Sequence, residues 1–117
     1  MGGGNNYSLE EQVIGRWIDG HPLYQKTIDC GANPIGRNDG TVIATIPDMS
    51  IGFIKCAYLT GSGNTGNIIS LPRILPISAA YEVSVNIVGN NITYNSGDST
   101  GSYGNVIVTV QYTKTTD

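Results

Sequence analysis

Residues 12–28, QVIGRWIDGHPLYQKTI, decide the fold class. Asp19-Gly20 is a dipeptide favoured by the two-residue type I′ turn, since both central positions of that turn need φ > 0. Centring the turn there pairs Ile18 with His21, Trp17 with Pro22, Arg16 with Leu23 and Gly15 with Tyr24. Ile18 and His21 then form the hydrogen-bonded pair, and Trp17 and Pro22 fall at a non-hydrogen-bonded one. Proline has no N–H, so it costs this ladder nothing there, but it blocks a full third strand on its outer side. Tyr24 opposite Gly15 would cover the bare glycine backbone. The segment predicts a β-hairpin and, with it, a β-protein.

Outward from the hairpin, the 117 residues (12.4 kDa) match one domain in size. Hydrophobic residues make up 39% and charged residues 13%, enough for one modest core with few surface charges. A net charge of −3 and six scattered basic residues argue against a nucleic-acid groove, which needs clustered Lys and Arg. No apolar run approaches the roughly 18 residues of a membrane span, so no membrane insertion is expected. The start, MGGGNNYSLEE, has neither a basic n-region nor an apolar h-region and does not read as a secretory signal. Residues 1–6 read as a flexible Gly/Asn lead-in or stalk junction, and 7–117 as a single β domain. Cys30 and Cys56 make no disulfide framework and fit no metal spacing; two free thiols packed as small hydrophobes are expected, with a single disulfide as the minor alternative.

Strands and loops fill the rest. Ser8 and Glu11 have capping-box spacing, but Gly15 leaves room for one helical turn at most. GANPIGRNDG (31–40) and TGSGNTGN (60–67) are loops by composition, flanking the β-rich runs 41–47 and 51–59. Pro72 and Pro76 limit 68–77 to short edge strands or an extended crossover. Tyr81, Val83, Val85 and Ile87 share one strand face. A turn at Gly89-Asn90 sets Ile92 opposite Ile87 and Tyr94 opposite Val85. From Asn105 to Lys114, Val106, Val108, Val110 and Tyr112 alternate with Ile107, Thr109, Gln111 and Thr113. The pattern predicts an all-β antiparallel sandwich, jelly-roll-like, of about seven or eight short strands.

Catalytic signatures are missing from this pattern. There is no phosphate-binding glycine loop. His21 is the only histidine, beside a turn, and reads as a surface residue. The acidic residues are dispersed, with nothing to suggest the facing carboxylates, about 5–9.5 Å apart, of a glycosidase. Residues 95–100 hold one carboxylate, too few for a calcium loop. Asn91-Ile92-Thr93 matches a glycosylation sequon, a short pattern that is common by chance. No catalytic residue, metal or cofactor is expected. Three loops, 31–40, 60–67 and 95–104, have compositions suited to recognition: Asn, Asp, Ser and Thr offer donors and acceptors, and Tyr103 a flat face with a polar tip. On composition alone, ordinary solvated hairpin loops are the stronger reading.

Tyr7 to Ile28, YSLEEQVIGRWIDGHPLYQKTI, resembles a block of tail-fibre and receptor-binding proteins from phages and prophages of gut Firmicutes. That block commonly reads Tyr-Ser-x-Glu-Glu-x-x-x-Gly-x-Trp-x-Asp-Gly-Lys-Pro-x-Tyr-x-Lys. The ending from Val108 to Asp117, VTVQYTKTTD, resembles the terminal strand of many of those chains. The two blocks frame the chain, while the middle carries little family signal. His21 replaces the usual lysine, and Cys30 and Cys56 lie outside the pattern. The resemblance implies a non-catalytic tip domain of a virion's tail, a homotrimer that adheres to a bacterial surface glycan or protein. It supplies no active-site residues; Ile14, Ile54 and Ile107, on opposite strand faces, are the candidate subunit contacts. A glycan site is expected on 95–104, with Tyr103 as a stacking face and Asn95 and Asp98 as hydrogen-bonding groups. The alternatives are a purely structural or oligomerising tail domain, or a small carbohydrate-active enzyme, which would need a cleft with paired carboxylates.

Overall fold

The alternation at the C-terminal end of the chain builds the centre of the molecule. In a computed structural model, which describes residues 10–61, 68–74 and 79–116, eight strands form two antiparallel sheets. They are β1 (Gln12–Arg16), β2 (Pro22–Ala32), β3 (Asn38–Thr45), β4 (Met49–Leu59), β5 (Ile69–Leu71), β6 (Val83–Val88), β7 (Asn91–Ser96) and β8 (Asn105–Lys114). The larger sheet has the order β1-β2-β8-β4-β5 and the smaller β3-β7-β6. β8 inserts between β2 and β4, and β7 lies between β3 and β6, which gives the expected sandwich its jelly-roll-like wrapping. The expected lead-in, Ser8 of the capping box and residues 62–67 of the second loop lie outside the described residues, as do 75–78.

Val106, Val108 and Val110 are fully buried and Tyr112 is 1% exposed, all on the β8 face turned toward the smaller sheet. That sheet answers with Ile92 and Tyr94 of β7, both fully buried, and with Val83 of β6. Each such side chain contributes about 1.5–3 kcal/mol of burial. The β6–β7 hairpin has the register read from its alternation: Ile87 faces Ile92, Val85 faces Tyr94, and Gly89 takes φ 63° in the two-residue turn. Tyr81, grouped with the inward residues by pattern, lies in a short 3₁₀ turn and is 43% exposed. Leaving the strand just before Val83 releases it from the alternation.

The first hairpin exists, but its register differs from the expected one. Gly20 N–H donates to the Trp17 carbonyl and Trp17 N–H to the His21 carbonyl, both at 2.9 Å, so the loop is three residues, Ile18–Gly20. Gly20 alone takes a left-handed φ, 88°, and Asp19 does not, which excludes a type I′ turn. The reason is local: Asp19 Oδ1 accepts the His21 N–H at 3.0 Å, a side-chain bond that stabilises the longer loop. Arg16 therefore faces Pro22, Gly15 faces Leu23, and a bulge brings Val13 opposite Tyr24.

Two expected loops are shorter than composition suggested. β2 runs to Ala32 and β3 begins at Asn38, so 31–40 reduces to a five-residue connection, 33–37. Likewise β7 extends through Ser96, leaving 97–104 as the loop before β8. Small polar residues do not prevent pairing where a neighbouring strand is there to receive their backbone groups. Cys30 and Cys56 are free thiols, as expected, and Cys30 packs against the core.

Candidate functional site

A cleft of about 380 Å³ opens on the outer face of the smaller sheet, at one end of the sandwich. Its floor is one cross-strand row: Asp39 of β3, Asn95 of β7 and Ser84 of β6 are register partners. Asn95 alternates with fully buried Tyr94, so this row points away from the core. Arg37 and Arg73 form part of the walls, with Ile74, Ala79 and Glu82. The lining combines these polar groups, which can orient a ligand, with the apolar Pro72, Ile74, Ala79 and Val83.

Each side chain has a local reason for its position. Arg37 Nε donates to Asp39 Oδ2 at 3.1 Å, an exposed pair at the rim. Asn95 Oδ1 accepts the Gly40 N–H at 2.8 Å across the bulge of β3, which holds the middle of the floor. Arg73 follows β5 and bridges β6 through two backbone bonds: its N–H donates to the Val83 carbonyl at 2.7 Å and its carbonyl accepts the Val83 N–H at 3.1 Å. Its guanidinium carbon lies 5.2 Å from the centroid of the Tyr103 ring.

Behind the cleft the loops are tied by buried polar groups. Asn33, 5% exposed, donates from Nδ2 to the Gly101 carbonyl at 2.8 Å and accepts the Tyr103 N–H at 2.7 Å. The Gly36 carbonyl accepts from the Ser96 hydroxyl at 2.6 Å and the Thr100 hydroxyl at 2.8 Å. Tyr94 packs beneath this network, and burial pushes its phenol above the ordinary value, against the opposing effect of its bond from Asn33. Gly97 is needed because the chain passes too close for a side chain: an added Cβ would lie 2.3 Å from the Ala79 carbonyl oxygen.

The three residues singled out from sequence do not share one surface. Asn95 lies in the cleft floor as a strand residue. Asp98 is exposed on the turn beyond, beside an adjoining depression of about 320 Å³ that it lines with Arg37, Ala79, Ala80 and Gly97. Tyr103 is half-buried against the core, with Arg73 over its ring, so the guanidinium occupies a ring face expected to meet sugar. Arg37, Asp39, Arg73 and Ser84 were not singled out. No motif marks them, because they meet only through the β3–β7–β6 pairing and the Arg73–Val83 bridge. Among the described residues no cluster of three or more His, Cys, Asp or Glu is placed to hold a metal.

Comparison of the chain with known protein families, with curated proteins and with solved structures finds no match.

Proposed function

We propose that this chain is a receptor-binding tip domain of a phage or prophage tail fibre, which adheres through the cleft to a bacterial surface glycan without catalysis. The observation that carries the reading is that the cleft sits at the end of the sandwich opposite the last described residues. Near the far end of β8, the Tyr112 hydroxyl donates to the Glu11 carboxylate, and Lys114 pairs with Glu11 and Asp48. Thr115 N–H bonds the Asp48 carbonyl at 2.8 Å. The last described residues thus lie at the end of the sandwich opposite the cleft, whose floor adjoins the 97–104 loop at the start of β8. Its polar floor and 380 Å³ volume suit part of a saccharide.

The reading includes a homotrimer, in which three weak sites give avidity. The outer face of the larger sheet is the surface for that contact. Ile107 and Phe53 alternate there with inward residues, and Trp17 meets Phe53 at 5.4 Å between ring centroids. Ile54, which the sequence offered as a contact residue, packs against the core instead, opposite Val110. Ile14 and Ile107, offered with it, are both half-buried.

One observation keeps an enzymatic alternative in view: Asp39 and Glu82 both line the cleft. Asp39, with a side chain 74% exposed and paired to Arg37, lacks the apolar surroundings that make a carboxyl a general acid. The test is a screen of bacterial surface polysaccharides, with native mass measurement on the same sample. Retention on a polysaccharide recovered at full length, by a species three times the 12.4 kDa chain, is the expected result. Retention of none, with the trimer present, would leave a structural tail domain. A shortened polysaccharide would make the protein an enzyme.

A further inference from the structure

We infer that the saccharide is uncharged and carries acetamido groups, and that it extends from the cleft along β7 over the outer face of the smaller sheet. This rests on the glycan-binding reading above and names its ligand class. The cleft floor, Asp39–Asn95–Ser84, is the first of three cross-strand rows on that face. Val42, Thr93 and Asn86 form the second, and Thr45, Asn91 and Val88 the third. All three rows point outward, because their β7 members alternate with the fully buried Ile92 and Tyr94. Four residues at about 3.3 Å each set Asn91 roughly 13 Å from Asn95, too far for one sugar ring to touch both. The cleft balances Arg37 and Arg73 against Asp39 and Glu82, and the second and third rows hold no Lys, Arg, Asp or Glu. Selection along this track therefore falls to hydrogen bonds and apolar contact.

Two features repeat along the track. One is an oriented amide. Asn95 Oδ1 accepts the Gly40 N–H at 2.8 Å, and Asn91 Oδ1 accepts the Thr45 hydroxyl at 2.7 Å. Both side-chain carbonyls are thus turned toward β3, and both amides present their Nδ2 hydrogens as donors. The other is exposed apolar surface close to each amide. Ile74 and Ala79 share the cleft with Asn95, and Val88, 62% exposed, is the register partner of Asn91. Val42, 52% exposed, stands in the row between them. An acetamido group answers both features at once: its carbonyl accepts from the amide donor, and its methyl covers the apolar side chain. A hydroxyl answers only the first.

The test uses the whole chain and two series of β-1,4-linked oligomers, from one unit to four: N-acetylglucosamine, and glucose, which has a hydroxyl in place of each acetamido group. The parent is expected to bind the acetamido tetramer ten or more times tighter than the glucose tetramer, with affinity rising along the acetamido series. Asn91→Asp keeps the oxygen that takes the Thr45 hydroxyl and turns the donor into an acceptor, so it should weaken the acetamido tetramer tenfold or more. The parent comparison needs no variant and stands even if Asn91→Asp folds poorly. Equal binding of the two series would overturn the inference while leaving the glycan reading intact. Acetamido affinity that does not rise with length would also overturn it, since the ligand would then end at the cleft. If the parent binds neither series, the inference falls; the polysaccharide screen then decides the glycan reading separately.

Discussion

Removing the Asn33 side chain probes how the loops behind the cleft are held. Asn33→Ala deletes the acceptor of the Tyr103 N–H (2.7 Å) and the donor to the Gly101 carbonyl (2.8 Å). Weaker bonds to the Pro34 carbonyl (3.1 Å) and the Tyr94 hydroxyl (3.4 Å) go with them. A polar group left unpaired away from water costs about 1–3 kcal/mol. Tyr103 and Gly101 are half-buried, so water recovers part of that, and a total of about 2–4 kcal/mol is expected. This is a large share of the roughly 5–15 kcal/mol that stabilises a domain. Urea unfolding of parent and variant, compared at unchanged m, measures it. Asn33→Asp separates the two roles, since it keeps the acceptor and loses the donor. A buried carboxyl facing a carbonyl has its folded pKa raised, so the stability it contributes is present below about pH 4 and lost as pH rises through the folded value. A loss below about 0.5 kcal/mol for Asn33→Ala would refute the reasoning. The Asn33 N–H bond to the Gly104 carbonyl, at 2.9 Å, would then suffice to anchor the loops.

Gly97→Ala places a Cβ 2.3 Å from the Ala79 carbonyl oxygen and 2.4 Å from the Ala80 carbonyl carbon, contacts that only a backbone shift relieves. About 1–3 kcal/mol of stability and much of the ligand affinity should go, and an unchanged melting curve would show that the turn at 79–81 moves freely. At Gly20, φ is 88° with open space around it, so Gly20→Val should cost more than about 1 kcal/mol through backbone conformation alone; equal melting temperatures would place the turn elsewhere. Burial, reinforced by Asp29, pushes the Cys30 thiol from 9.0 up to about 11. Its thiolate fraction at pH 8 is therefore about a hundredfold below that of an unfolded cysteine, and alkylation mapped by mass spectrometry should mark it slowly until urea is added. The same shift gives stability that is intact below pH 9 and is lost as pH rises through about 11, the range to follow by thermal melts.

Alternation by twos determined much of this protein without help from the tertiary structure. Burial of Val106, Val108, Val110 and Tyr112 on one side of β8, the facing of Ile87 with Ile92, and the all-β class follow from it, because side-chain direction in a strand is a local property. The turn chemistry at Gly89-Asn90 agreed with that pattern and fixed its register. At Asp19-Gly20 a three-residue loop replaces the expected type I′ turn and moves the register by one, since the Asp19 side chain bonds His21 and lengthens the loop. Tertiary pairing alone decided the cleft. Asp39, Ser84 and Asn95 become one row only when β7 settles between β3 and β6, and Arg73 joins them only through its bridge to Val83. The Asp39–Asn95 partnership spans dozens of residues and forms because the opposite strand faces must be buried, so no local pattern records that Asp39 joins the Ser84–Asn95 pair of the hairpin on the outside.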